Sequence, residues 1–226
     1  MTYQSSRRLL RFSVLDSRPL LMGVVTILAL VMGVTARGVM AAEATADGVY
    51  SYCVGCHGKY GVGGEGGRYP RIAGLPQPYI DAQIHAFKAQ DRDNKPMIPI
   101  FKHVNFNEEV IDLVSAYIAS MSVPNLGLWP YEPDPDALAA FDSREGYAAA
   151  GKQAYKDQCA SCHGAQGQGA DSGDAPPLVA QYPAYLAKQI RDFATGERKH
   201  AHSADCGAPD AATADAIINH LVELGR

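Results

Sequence analysis

The sequence predicts an all-α chain. Two tandem helical domains are joined by a proline-rich linker and preceded by an N-terminal signal peptide. Three observations lead there. A block of residues recurs at a constant offset of 106, so one structural unit is present twice. Within each copy the apolar residues recur three to four apart, as on one face of a helix. No convincing strand-type alternation appears anywhere in the 226 residues.

The leader comes first. Pro19 to Ala36 is an uncharged run of 18 residues rich in Leu, Val and Met, with basic residues before it. Val39-Met40-Ala41-Ala42-Glu43 follows, with small residues suited to cleavage after Ala41 or Ala42. The alternative is an uncleaved anchor, because 18 apolar residues reach the lower bound for a membrane span. Both readings export the rest of the chain, since the positive flank stays inside. The whole chain carries 20 basic and 24 acidic residues; without residues 1–42 the counts are 15 and 23, a net charge of −8. That balance argues against nucleic-acid binding, which needs a basic footprint. It suits a soluble domain steered toward basic partner patches.

The divisions read as follows: 1–42 signal peptide, 43–122 first domain, 123–142 linker, 143–226 second domain. In each domain a short helix leads into a cysteine motif, around Asp47–Cys53 and again over Ser143–Cys159, and a glycine-rich loop follows. A second helix starts near Gln77–Pro78 and near Pro183, where proline suits a first turn. Ile80, Ile84 and Phe87 mark the apolar face of one, Leu186, Ile190 and Phe193 that of the other. A last helix runs from about Asn107 to Met121 and from about Asp210 to Leu224. Between the domains, Pro124, Pro130, Pro133 and Pro135 exclude a continuous helix. Three short helices in about 80 residues make a thin core, which needs a staple or a large apolar ligand.

The motifs supply that ligand. Cys53-Val54-Gly55-Cys56-His57 and Cys159-Ala160-Ser161-Cys162-His163 are both C-x-x-C-H, the pattern of covalent c-type haem attachment. Two thiols add across two vinyl groups, and the adjacent histidine reaches the iron. A redox disulfide usually sits in a thioredoxin-like unit, and none is visible. One zinc held by both pairs would leave unexplained why each pair carries its own histidine and heads its own repeat. The cofactor-binding residues are therefore Cys53, Cys56, Cys159 and Cys162, for two covalently bound haem c groups, with His57 and His163 as iron ligands.

Residues 47–226 resemble the dihaem class I cytochromes c of the cytochrome c4 type. The resemblance rests on C-x-x-C-H-G and its glycine loop, on Pro70-Arg71-Ile72-Ala73-Gly74 and Pro176-Pro177-Leu178-Val179-Ala180, and on the Tyr-x-x-x-Gln-Ile-x-x-Phe helix. It implies two class I cytochrome c domains packed with their haems close together. It also implies that the carbonyls of Pro70 and Pro176 accept the Nδ1–H of His57 and His163, and that a methionine lies on the far side of each haem.

Met97, in Lys95-Pro96-Met97-Ile98-Pro99, stands where the family places that ligand, with His103 in reserve; His85 reads as a surface residue. The second copy departs from the pattern, because no methionine follows Met121. Its sixth ligand is read as His202, with His200, Cys206 or an open site as alternatives. Methionine raises haem potential relative to a second imidazole, so the first haem is expected to be the higher of an asymmetric pair.

These features describe a periplasmic carrier of single electrons between respiratory redox partners such as a terminal oxidase, a reductase or a dehydrogenase subunit. It is read as an electron-transfer protein and not an enzyme, because no nucleophile–base constellation lies outside the haem sites. Membrane association, if the leader is retained, comes through the N-terminal segment. Two alternatives stay open: a cytochrome c subunit of a dehydrogenase complex of sulfide dehydrogenase type, and a thiosulfate dehydrogenase-like haem enzyme, which Cys206 keeps alive.

Overall fold

Each helix begins where a side chain can satisfy the first free amides. A computed structural model of the chain describes residues 45–103, 105–199 and 208–226. Helix α1 (Ala46–His57) starts at Thr45, whose hydroxyl accepts from the Gly48 amide. Helix α2 (Gln77–Ala89) has proline in its first turn. A six-residue helix α3 (Ile98–His103) precedes α4 (Glu108–Ser120), which Asn107 caps. Helix α5 (Pro135–Ala139) begins at Asp134, α6 (Arg144–Gln158) at Ser143, and α7 (Ala160–His163) follows at once. Helix α8 (Pro183–Thr195) again has proline in its first turn, and Asp210 caps α9 (Ala211–Leu224). Among the described residues the only strand-like feature is an isolated bridge, Gly64 to Tyr69, so the all-α expectation holds.

Two differences from the sequence expectation have physical causes. The first motif does not follow its helix; it finishes it. The helix runs through Cys53 and Cys56 to His57 and stops only at Gly58, whose φ of 75° turns the chain away. In the second copy the helix breaks at Cys159 (φ −123°), splitting into α6 and α7. The reason is one extra residue. Tyr50 lies three residues before Cys53, but Tyr155 lies four before Cys159. Both tyrosines donate to the carbonyl just past the motif, Tyr50 to Gly58 at 2.7 Å and Tyr155 to Gly164 at 2.6 Å. Holding that contact across the longer spacing requires an interruption.

The first core joins α1, α2, α3 and α4 through Tyr50, Ile80, Ile84, Phe87, Phe101, Ile111, Val114 and Ile118. The second joins α6, α8 and α9 through Tyr155, Leu186, Ile217, Ile218, Leu221 and Val222. Residues of the predicted linker pack on this second core: Leu128 and Tyr131 lie against it, and the Tyr131 hydroxyl donates to Asp215 at 2.5 Å. Arg226 closes the chain over the Trp129 ring at 5.1 Å.

The two copies meet across a pseudo-two-fold contact. Gly67 packs against Tyr182 at the head of α8, and Gly173, its counterpart 106 residues on, packs against Pro76 and Pro78 at the head of α2. A Cβ on Gly67 would lie 2.6 Å from that of Tyr182, so both positions demand glycine for close approach. Among the described residues no helix is long and apolar enough to cross a membrane. The predicted leader lies outside them.

Candidate functional site

The end of α1 sets the first motif. His57 is buried, Cys53 half-buried and Cys56 exposed. The Nδ1 of His57 lies 2.9 Å from the Pro70 carbonyl, the bond the resemblance implies. That bond fixes the tautomer with the proton on Nδ1 and the lone pair on Nε2. Burial pushes the imidazole below its ordinary pKa, while the Pro70 bond pulls it back. The ring is thus held neutral, the form that binds a metal. Burial also pushes the Cys53 thiol up to about 11.

The second motif repeats this geometry. Nδ1 of His163 lies 2.9 Å from the Pro176 carbonyl, and burial again lowers its pKa. A glycine holds each acceptor in place. Gly63 donates to His57 O and Gly169 to His163 O. A Cβ on Gly63 would sit 2.3 Å from Tyr69 O and 2.7 Å from Pro70 O, and one on Gly169 would sit 2.7 Å from Ala175 O. Both carry positive φ. These glycines recur because the proline carbonyl must come that close.

Both motifs open on one continuous cavity of about 1360 Å³, larger than the ~300–1,000 Å³ of an ordinary ligand pocket. Cys53, Cys56 and His57 line it from one copy, and Cys159, Cys162 and His163 from the other. Met97 lines the same cavity and packs on the first core. It stands in a turn that leads into α3, its amide donating to Asn94 O at 2.9 Å, so the loop expected there is the entry to a short helix. His85 is exposed and 3.2 Å from Glu108. His103 ends α3. His200, His202 and Cys206 lie outside the described residues.

Two polar clusters between the motifs escaped the sequence reading. The Arg71 side chain is fully buried and crosses between the copies. Its Nε donates to Ala180 O at 2.6 Å and an Nη to Ala73 O, while Gln181 exchanges two hydrogen bonds with the Arg71 backbone, at 2.9 and 3.0 Å. Burial pushes the guanidinium down to about 10. The second cluster is symmetric. Arg92 donates to Gln83, Tyr185 and Gln189 at 2.7 to 3.0 Å, and Arg198 donates to Gln189, Tyr79 and Gln83 at 2.5 to 2.9 Å. The guanidiniums outweigh burial and lower the Tyr79 phenol. A signal was present: Tyr, Gln and Arg recur at the offset of 106, a recurrence that a merely solvated face does not require.

Comparisons with known proteins agree with this geometry. A cytochrome c family model matches residues 148–219. Cytochrome c4 of Azotobacter vinelandii is 30% identical over 181 residues, covering 76% of this chain and 81% of that protein. The thiosulfate dehydrogenase electron acceptor of Stutzerimonas stutzeri is 29% identical over 153 residues, covering 66% of this chain; the chain spans 65% of that protein's length. Among solved structures, reduced cytochrome c4 from Pseudomonas stutzeri shares the fold with a TM-score of 0.61 at 22% identity, covering 78% of this chain and 95% of that one. Thiosulfate dehydrogenase (TsdBA) from Marichromatium purpuratum matches with a TM-score of 0.59 at 28% identity, covering 77% of this chain and 38% of that one.

Proposed function

We infer the function from one premise: the chain belongs to the cytochrome c4 family. It is a c-type cytochrome that transfers electrons. The finer reading is a periplasmic dihaem carrier of single electrons between respiratory partners, with an asymmetric haem pair. One observation carries it: a single cavity receives both C-x-x-C-H motifs.

The residues present fit two haem c groups. Each motif presents two cysteines and a neutral, oriented imidazole to the cavity, and Ile72, Leu75, Phe87, Leu178 and Ile190 make much of the lining apolar. Haem c, when bound, supplies the one-electron couple. The chain's own residues do the rest. Cys53 and Cys56 anchor one group, Cys159 and Cys162 the other. His57 and His163 would each give a ring nitrogen to the iron, their rings held by Pro70 and Pro176. Met97 would be the second protein ligand at the first site, and His202, outside the described residues, would be that at the second. Because methionine raises the potential relative to imidazole, this ligand set would make the second site the entry for electrons and the first the exit. Exposed Tyr52, Val54 and Tyr60 surround the first motif, where the second has Gln158, Ala160 and Gln166. Aromatic surface of that kind favours partner docking at the first site.

The acceptor relative bears on the donor. A protein named as an electron acceptor of thiosulfate dehydrogenase supports a dehydrogenase as the partner that loads the second site. The haem-enzyme alternative rests on Cys206 and predicts turnover of thiosulfate with an added one-electron acceptor and no partner enzyme.

The test is a mass measurement of the exported protein followed by a redox titration of Met97→His. Two haem additions and two unequal midpoints are expected in wild type. The variant lowers the first midpoint and narrows the gap, each 59 mV being tenfold in electron distribution. Near-infrared magnetic circular dichroism checks the ligands. One haem, or equal midpoints in wild type, overturns the asymmetric carrier.

A further inference from the structure

The Tyr-Gln-Arg cluster between the copies is symmetric, but two pairs of cavity-lining positions on the helices that carry it differ in charge. Tyr79, Gln83 and Arg92 of the first copy mirror Tyr185, Gln189 and Arg198 of the second. On the same two helices, Ala82 and Ala86 correspond to Lys188 and Asp192, and all four line the cavity. The Asp192 side chain is only 7% exposed, and Lys188 is exposed. Oδ2 of Asp192 pairs with Lys188 Nζ. Oδ1 has no hydrogen-bond partner among the described residues.

The fold does not require this carboxylate. The backbone at Asp192 accepts from the Arg198 amide at 2.9 Å, and the backbone at Ala86 accepts from the Arg92 amide at 3.2 Å. Alanine therefore builds the same turn in the first copy. Burying a carboxylate with one oxygen unpaired costs stability, so a purely structural account leaves Asp192 unexplained. It lines the cavity from the second copy's helix, where a low dielectric carries its field further, whereas the Lys188 ammonium is screened by water. Arg198 lies within reach of that charge: burial opposes its own charge, Tyr79 and Tyr185 raise its pKa overall, and Asp192 adds the smallest share of the rise. Arg92 has only alanine at the matching place.

We propose that Asp192 is a potential-setting residue: its buried carboxylate lowers the reduction potential of the second haem relative to the first, and Lys188 offsets part of that effect. The inference rests on the dihaem reading above and adds a cause of asymmetry independent of the axial ligands. A negative charge beside the second haem favours its oxidised form, the more positive of the two. Electrons arriving there are passed on to the first haem.

The experiment uses the full exported chain, with haem content per chain counted first in wild type. Fewer than two haems there overturns the function reading itself. Redox titration, with magnetic circular dichroism to tell the Met-ligated haem from the other, then compares Asp192→Asn and Lys188→Gln. Asp192→Asn shifts the electron distribution at least tenfold toward the second haem, which is 59 mV. Lys188→Gln shifts it severalfold the other way, and this exposed position is not needed for folding. Ala86→Asp lowers the first haem instead. Opposite signs from neighbouring residues mark electrostatics and not disturbed packing. An unchanged second midpoint in Asp192→Asn with both haems present, or shifts of one sign in both variants, overturns the proposal.

Discussion

The two copies agree on one side of the cavity and disagree on the other. On the histidine side they match closely: histidine to proline carbonyl at 2.9 Å in both, tyrosine to glycine carbonyl at 2.7 and 2.6 Å, a glycine pressed against each proline. On the far side they diverge. The first copy presents Met97 with Phe101 stacked on Phe87 at 5.9 Å and edge-on to Phe106 at 5.0 Å, each pair contributing about 0.5–1.5 kcal/mol beyond burial. The second copy has neither Met nor Phe after Phe193. The geometry that attaches and orients a cofactor tolerates little change. The opposite wall, which tunes it, is free to differ.

Breaking the contact that joins the copies has the largest expected effect. Arg71 has no equivalent: the matching position is Pro177. Arg71→Ala strands the carbonyls of Ala73 and Ala180 inside the protein, at about 1–3 kcal/mol each, so a loss of about 3 kcal/mol is expected in denaturant unfolding. Pro177→Ala changes stability by less than about 1 kcal/mol. Equal losses would mean that the crossing arginine is not what holds the copies together.

The next test presses on the matched side. Gly63→Ala and Gly169→Ala each add a Cβ at positive φ, costing about 1–2 kcal/mol from backbone strain alone. Gly63 is the tighter, with the backbone oxygen at 2.3 Å against 2.7 Å. It is therefore expected to lose more stability and to weaken the His57–Pro70 bond more, which makes His57 a poorer donor and is seen as a larger rise in the first haem's midpoint. Equal effects would show that the loops relax equally.

Much of this was legible in the sequence, and the residues show why. Prolines in first turns and 3–4 spacing are local signals, and the starts expected from the sequence for α2, α4, α6, α8 and α9 fall within a residue of those observed. The motif and the 106-residue repeat named the cysteines and histidines. What escaped is long-range. Nothing near Arg71 announces Gln181, 110 residues away, and repetition of Tyr, Gln and Arg does not reveal that the repeats face each other. The break at Cys159 was visible only as a one-residue change in the Tyr-to-Cys spacing, which the ungapped match from the cysteines onward concealed.

The smallest expected effect sharpens the comparison at the last helix of each copy. Asn107 caps α4 and Asp210 caps α9, each side chain accepting from an amide three residues on, at 2.9 and 2.7 Å. Only the second cap titrates. The Thr213 amide bond holds the Asp210 carboxyl below its ordinary pKa. A depressed folded-state pKa means stability that is present above the unfolded value and lost as pH falls through the folded one. A cap of this kind contributes about 1 kcal/mol. Amide exchange at Thr213 is thus expected to quicken as pH falls below about 4, relative to Val110 in the same sample, and Asp210→Asn removes that difference. If the two amides keep a constant ratio at every pH, the α9 cap is held by packing and not by its charge.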